Sequence, residues 1–186
     1  MTETEIIHSI LSGETSTFKL LVDKYHKMVF RTAMGFVHNK EDAEDLTQDI
    51  FIRIFQSLGN FREQATLSTW IYRITVNLCL NYVNANKPER FFELTEEKIH
   101  NIFNRQDNSQ NPEQRMIDDE RDHVIRKAID KLSDKQRTAF ILSKYEELSQ
   151  KEIAAIMQTT EGAVEQHLQR AKASLQKKIS ALVGER

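Results

Sequence analysis

Residues 148–185, LSQKEIAAIMQTTEGAVEQHLQRAKASLQKKISALVGE, decide the fold. Val164, Leu168, Ala171, Leu175, Ile179 and Leu182 recur at steps of four, three, four, four and three residues, which is one face of an α-helix. Ile153, Ala154, Ile156 and Met157 give the preceding segment an apolar side of its own. Gln158-Thr159-Thr160 between them is too short for anything but a tight turn. Ser149 with Glu152 predicts a capping box for the first helix. Thr160 is a good N-cap for the second, where Glu161 suits the positive end of the helix dipole. This is helix-turn-helix patterning, in which the second helix is held out to lie in a DNA major groove.

The residues upstream are helical in pattern too. A short helix is expected over residues 4–11. A longer one over residues 15–37 places Phe18, Leu21, Val22, Tyr25, Val29, Ala33 and Phe36 on one side. The next opens at Asn39, an N-cap with Asp42 three residues on, and is expected to bury Ala43, Leu46, Ile50, Ile54, Phe55 and Leu58. A third starts after Ser68, its stripe formed by Leu67, Ile71, Ile74, Leu78 and Tyr82. Three such stripes can close a small helical core. Residues 84–115 break the pattern: they hold both prolines, Pro88 and Pro112, among many Asn and Gln. They read as a flexible tether with one weak helical turn near Leu94–Phe103. Helices over residues 114–131 and 134–145, the latter behind a Ser133–Gln136 capping box, complete the second unit. The expected architecture is all-α: a helical domain over residues 1–83, a linker over 84–113, and a helix-turn-helix domain over 114–186.

Composition narrows the function. The 186 residues are 29% charged and 39% hydrophobic with only 5 Gly, the profile of a helical globular chain. No apolar run approaches the roughly 18 residues that span a membrane, and the start, MTETEIIHSI, lacks the basic region of a signal peptide. The lone Cys79 supports no disulfide framework. A cytoplasmic protein with no membrane insertion of its own is expected. The net charge of −2 is low for a stand-alone DNA binder. Residues 1–83 carry 8 basic and 10 acidic groups and residues 118–186 carry 13 and 12, so neither part is a polycation. A partner would have to supply much of the attraction to DNA.

Taken together, EDAEDLTQDIFIRIFQSL and STWIYRITVNLC in the first unit, and LSDKQRTAFILSKYEELSQKEIAAIM in the second, resemble regions 2 and 4 of the extracytoplasmic-function sigma factors, the smallest members of the sigma-70 family. Two matches in the right order, joined by a polar linker, are far more specific than a helix-turn-helix alone. The resemblance implies a protein that binds core RNA polymerase, directs it to a promoter, helps to open the −10 DNA and is then released. It implies no catalysis, and an anti-sigma factor as a further partner.

It also implies site residues. With its stripe buried, the EDAEDLTQDIFIRIF helix turns Asp45, Gln48, Asp49 and Arg53 outward. A charge run is ordinarily a solvated face, but in the family this helix docks on the polymerase clamp. Asp45, Gln48 and Asp49 are therefore the core-binding candidates, with Phe51 and Arg53 beside them. In NFREQATLSTWIYRITVN, residues 60–77, Trp70, Tyr72, Arg73, Val76 and Asn77 are left partly outward once Ile71, Ile74 and Leu78 are buried. Aromatic residues are usually core, yet strand separation needs planar groups on which unstacked bases can rest. By resemblance, Asn60, Phe61, Arg62 and the loop to Leu67 form a pocket for a flipped −10 base. Trp70, Tyr72, Arg73 and Asn77 then follow the −10 strand. For the −35 element the candidates are Glu161, Gly162, Glu165, Gln166, Gln169, Arg170 and Lys172 on the recognition helix, with Ser149 and Lys151 before it. Such Glu, Gln and Arg side chains can read cytosine, adenine and guanine edges. Family members place more Lys or Arg where this chain has Glu165-Gln166-His167, which lowers the expected phosphate attraction. Lys177 and Lys178 remain for the DNA backbone.

The six His residues show no metal-ligand spacing, and the scattered glycines make no phosphate loop, so no metal or cofactor is expected. The competing reading is a conventional helix-turn-helix regulator that binds duplex DNA without polymerase.

Overall fold

The computed structural model describes residues 1–86 and 125–183, with side chains described up to Lys177. The expected helical turn at Leu94–Phe103, the start of the 114–131 helix, and the Ile179 and Leu182 side chains lie outside the described residues.

The first unit is built from α1 (Glu3–Leu11), α2 (Phe18–Val37), α3 (Lys40–Ser57) and α4 (Leu67–Ala85). Local chemistry sets each start. Thr2 and Glu5 form a capping box on α1, Asn39 Oδ1 accepts the Asp42 amide at 3.1 Å for α3, and Thr66 Oγ1 accepts the Thr69 amide at 3.2 Å for α4. Thr66 is therefore the cap of α4, two residues earlier than the expected start after Ser68. Thr15–Thr17 form a 3-10 turn rather than the first turn of α2. Leu21, Val29, Phe36, Ile50, Ile54, Leu58 and Ile71 are fully buried where α2, α3 and α4 meet.

Two core expectations are corrected. Phe55 is 41% exposed, and Phe51 at 7% takes the buried place. Phe55 lies at the stripe's edge and rests edge-on against Phe18, with ring centroids 5.0 Å apart. Tyr72 and Val76, read as outward, are each only 7% exposed.

The second unit holds helical turns over residues 125–130, then α5 (Asp134–Lys144), α6 (Gln150–Met157) and α7 (Glu161–Val183). The Ser149–Glu152 capping box forms with both arms, and Thr160 Oγ1 accepts the Ala163 amide at 3.2 Å. Gln158, in the left-handed region at φ 53°, turns the chain between α6 and α7. The box expected at Ser133–Gln136 does not form: Ser133 has the extended backbone of a cap but makes no side-chain cap bond. Replacing Ser149 with Ala removes the hydroxyl arm of this capping box, leaving the residue-149 amide on Glu152, and is expected to destabilise the fold by about 1 kcal/mol, read as a lower denaturant midpoint.

The two units share one core. Ala139, Ile141, Leu142, Ile153, Ala154, Ile156 and Val164 of the second pack in the same cluster as the α1–α4 residues. A smaller cluster, Ala128, Ile129, Leu132, Ala171 and Leu175, closes the far side. Gly35 of α2 lies directly against Ile141 of α5. A Cβ there would lie 2.8 Å from Ile141 Cγ2, so only glycine allows the two helices this near.

Candidate functional site

Three surfaces carry the residues singled out above. On α3, Asp45, Gln48, Asp49 and Arg53 are all exposed and lie on the side away from Leu46, Ile50 and Ile54. Beside Gln48 runs a groove of about 510 Å³ whose walls include Val22, His26 and Phe30 of α2 with Phe51 of α3. The His26 ring stacks between Phe30 and Phe51, at centroid distances of 6.2 and 6.3 Å. Phe51 is thus a groove wall rather than a projecting contact. Ile52, 55% exposed, and Phe55 continue this face as apolar ground one turn past the acidic groups. The α2 side of the groove carried no signal in the sequence, because His26 and Phe30 fall beside the stripe of α2 rather than on it.

On α4, the loop over residues 60–66 is held by Phe61, whose ring meets Trp70 at 5.4 Å and a 55° tilt. Asn60, Arg62 and Asn77 are exposed, and Trp70 and Arg73 half-buried. Tyr72 is buried because the second unit covers it. Its hydroxyl donates to Glu146 Oε2 at 2.8 Å. Burial, then the neighbouring carboxylate, push that hydroxyl's pKa far above its usual range. Arg73 donates twice to the Ala155 carbonyl, at 3.3 Å from Nε and 2.8 Å from Nη2. Glu146 is the residue that sequence reasoning missed. Nothing in KYEEL distinguishes it from Glu147, yet its side chain is 0% exposed and Arg31 meets it with a two-pronged ion pair at 2.7 and 2.8 Å.

On the helix-turn-helix, Glu161, Gly162, Glu165, Gln166, Gln169, Arg170 and Lys172 are all exposed on α7, with Lys151 exposed at the start of α6. Glu165 accepts from Gln169 at 3.2 Å along the helix. The Ser149 hydroxyl is engaged by its own cap, accepting the Glu152 amide at 3.3 Å and donating to Glu152 Oε2 at 2.7 Å. The hydroxyl, then the Ser149 amide donating to the same oxygen at 2.9 Å, hold the Glu152 carboxyl below its usual pKa. Burial, then Lys135 and Arg170, lower the pKa of His167. Lys135, from α5, therefore adds a positive charge beside the recognition helix that the Glu165-Gln166-His167 segment lacks. A cleft of about 410 Å³ separates this corner from α4, lined by Arg73 and Asn77 on one side and Lys135, Gln158, Thr159 and His167 on the other.

Among the described residues, no group of three or more His, Cys, Asp or Glu is placed to hold a metal, and no helix is long and apolar enough to cross a membrane.

The described residues thus form an all-α protein of two helical units, the second carrying a capped helix-turn-helix. Residues 21–89 match the sigma-70 region 2 model and residues 122–175 the sigma-70 region 4 model. The RNA polymerase sigma-H factor of Pseudomonas aeruginosa is 29% identical over 184 residues, covering 97% of this chain and 95% of that one. The ECF RNA polymerase sigma-E factor of Escherichia coli K12 is 28% identical over 186, covering 98% and 97%. The fold is shared with CnrH, solved in complex with the cytosolic domain of CnrY, at 21% identity and a TM-score of 0.64 over 95% of this chain and 96% of that one. It is also shared with the sigma factor RpoE of Bartonella quintana, solved with the anti-sigma factor NepR, at 22% identity and a TM-score of 0.58 over 88% and 96%. The chain belongs to the sigma-70 family, in its extracytoplasmic-function group. The conventional regulator acting without polymerase is set aside.

Proposed function

We propose that this chain binds core RNA polymerase through α3, reads the −35 element with α7, and opens the −10 element with the loop over residues 60–66 and α4. The carrying observation is that regions 2 and 4 are both matched, in order, along one chain. Asp45, Gln48, Asp49 and Arg53 give the polymerase contact charge and direction, while the groove beside Gln48 and the exposed Ile52 and Phe55 supply apolar area. Phe61 and Trp70 form a tilted aromatic pair beside Arg62, a platform suited to an extruded base. On α7, Gln166, Gln169 and Arg170 read bases while Lys172 and Lys135 approach phosphates. Two modest contacts on one assembly reinforce each other through effective concentration. An anti-sigma factor is a further partner, as the complexes of the related folds suggest. The domain division is that of the sequence reading: residues 1–83 for polymerase and −10 DNA, 84–113 as linker and 114–186 for −35 DNA. The factor works in the cytoplasm and has no chemistry of its own.

Run-off transcription with purified core polymerase, on DNA from upstream of the protein's own gene, tests this. A specific transcript that needs both proteins is the expected result. Absence of both a transcript and core binding, with duplex DNA bound by the protein alone, would overturn it.

A further inference from the structure

We propose that the cleft between α4 and the corner of α5, α6 and α7 binds a small anionic ligand, a phosphorylated nucleoside, with its phosphates on Lys135, Arg73 and His167 and its base on the apolar floor beside them. This goes beyond the promoter and polymerase contacts, and binding to the free protein tests it whether or not those contacts hold.

The cleft has a volume of about 410 Å³, within the roughly 300–1,000 Å³ of small-molecule sites. Arg73 of α4, Lys135 of α5 and His167 of α7 reach it from three separate helices. Lys135 and His167 make no hydrogen bond or ion pair with the described residues. Arg73 gives Nε and Nη2 to the Ala155 carbonyl and keeps its Nη1 donors uncommitted. The carboxylate of the lining, Asp134, already accepts from Asn84 at 3.0 Å. An anion entering here meets two fixed cations and displaces no ion pair, and an arginine with a lysine is a fitting pair for phosphate oxygens. The depressed pKa of His167, set by burial and then by Lys135 and Arg170, agrees with positive charge left uncompensated at this corner.

A second observation comes from the wall of the same cleft. Thr138 of α5 is 3% exposed, and its hydroxyl has no hydrogen-bond partner among the described residues. A buried hydroxyl left unpaired is costly, and a ligand oxygen seated against this wall would pair it. The remaining lining selects the kind of anion. Val76 and Leu80 of α4, with Ile156 and Met157 of α6, form an apolar floor next to the cations. A bare phosphate has no use for such a floor; a nucleoside base does. Asn77 and Gln158, both exposed at the rim, carry carboxamides whose paired donor and acceptor match an adenine edge. Arg73, Asn77 and Lys135 are also proposed DNA contacts, so a filled cleft competes with promoter DNA and lowers transcription. That consequence alone rests on the function proposed above.

Calorimetric titration of the full chain with ADP, pyrophosphate and adenosine tests the site. ADP is expected to bind and to raise the melting temperature, pyrophosphate to bind roughly ten-fold more weakly, and adenosine not to bind measurably. Leu80→Trp fills the floor, and Thr159→Glu sets a carboxylate at the mouth; neither residue is a proposed DNA or polymerase contact. Each is expected to weaken ADP at least roughly ten-fold. Thr159 is exposed, so its variant folds even where a tryptophan at position 80 is not accommodated. Thr138→Val keeps the shape of the wall, removes the unpaired hydroxyl, and is expected to weaken ADP several-fold without lowering the melting temperature. No binding of ADP or pyrophosphate by the parent would overturn the site, as would ADP binding that is unchanged in both Leu80→Trp and Thr159→Glu. Pyrophosphate binding as tightly as ADP would overturn the nucleoside assignment. In run-off transcription ADP is expected to inhibit the parent and to spare Thr159→Glu; equal transcript from both, with binding intact, would overturn the competition with promoter DNA and not the site.

Discussion

Replacing Tyr72 and Arg73 together with Ala is expected to abolish promoter opening while core polymerase binding is kept. Stacking of an unpaired base on an aromatic or guanidinium plane contributes about 1–3 kcal/mol per base, so loss of both planes is expected to lower open-complex formation roughly 100-fold or more. The same side chains bond to Glu146 and to the Ala155 carbonyl, so the variant also loses two contacts between the units. A damaged fold would lower core binding and opening together; this variant is expected to separate them. Permanganate reactivity of −10 thymines measures opening, and competition for core polymerase measures binding. Tyr72→Phe is the control: it deletes the hydroxyl that reaches Glu146 and keeps the ring, so it should open promoters as well as the parent. Undiminished permanganate reactivity in the double variant would move the −10 contacts to Phe61 and Trp70.

The elements that sequence could predict are those whose causes are local. Asn39, Ser149 and Thr160 cap their helices as expected, because a cap is settled between residues three apart. Ser133 is the exception: the same spacing with Gln136 yields cap backbone without the side-chain bond. The stripe of α3 was readable except at its edge, where helical period alone does not choose between Phe51 and Phe55. Phe51 lies inside because His26 of α2 offers it a ring at 6.3 Å, a neighbour that no pattern on α3 announces. The α4 face was misread for a stronger version of the same reason. Tyr72 and Val76 do face away from the first unit's own stripe, as their spacing requires. They are buried by α6, and Glu146, which bonds Tyr72, is 74 residues further along the chain. Periodicity reports which side of a helix is apolar; it does not report what a second unit sets against the other side. Glu146 was illegible for that reason, since a glutamate in a polar turn is ordinarily solvated. Lys135 was missed because its closeness to His167 depends on how α5 crosses α7.

The second large effect is expected on the opposite side of the first unit. Asp45→Ala with Gln48→Ala should weaken core polymerase binding by roughly 30-fold at low salt, and by less at high salt, because partly exposed charge pairs act through orientation and on-rate and are screened. The fold should not suffer. Both side chains are exposed and make no hydrogen bond or ion pair with the described residues. Ala is also the better helix former at both positions, so the melting temperature should hold or rise slightly. That combination identifies a contact residue, since a structural residue lost from a core would lower stability and binding together. The salt dependence divides the surface further. If the contact is chiefly electrostatic, the deficit shrinks as ionic strength rises. If the groove of His26, Phe30 and Phe51 and the exposed Ile52 supply most of the binding, the deficit is small at every salt concentration, and Ile52→Asp becomes the damaging change. Unchanged affinity for the Asp45 and Gln48 pair, together with full sensitivity to Ile52→Asp, would therefore reassign the polymerase contact from the acidic turn to the apolar one beyond it on the same helix.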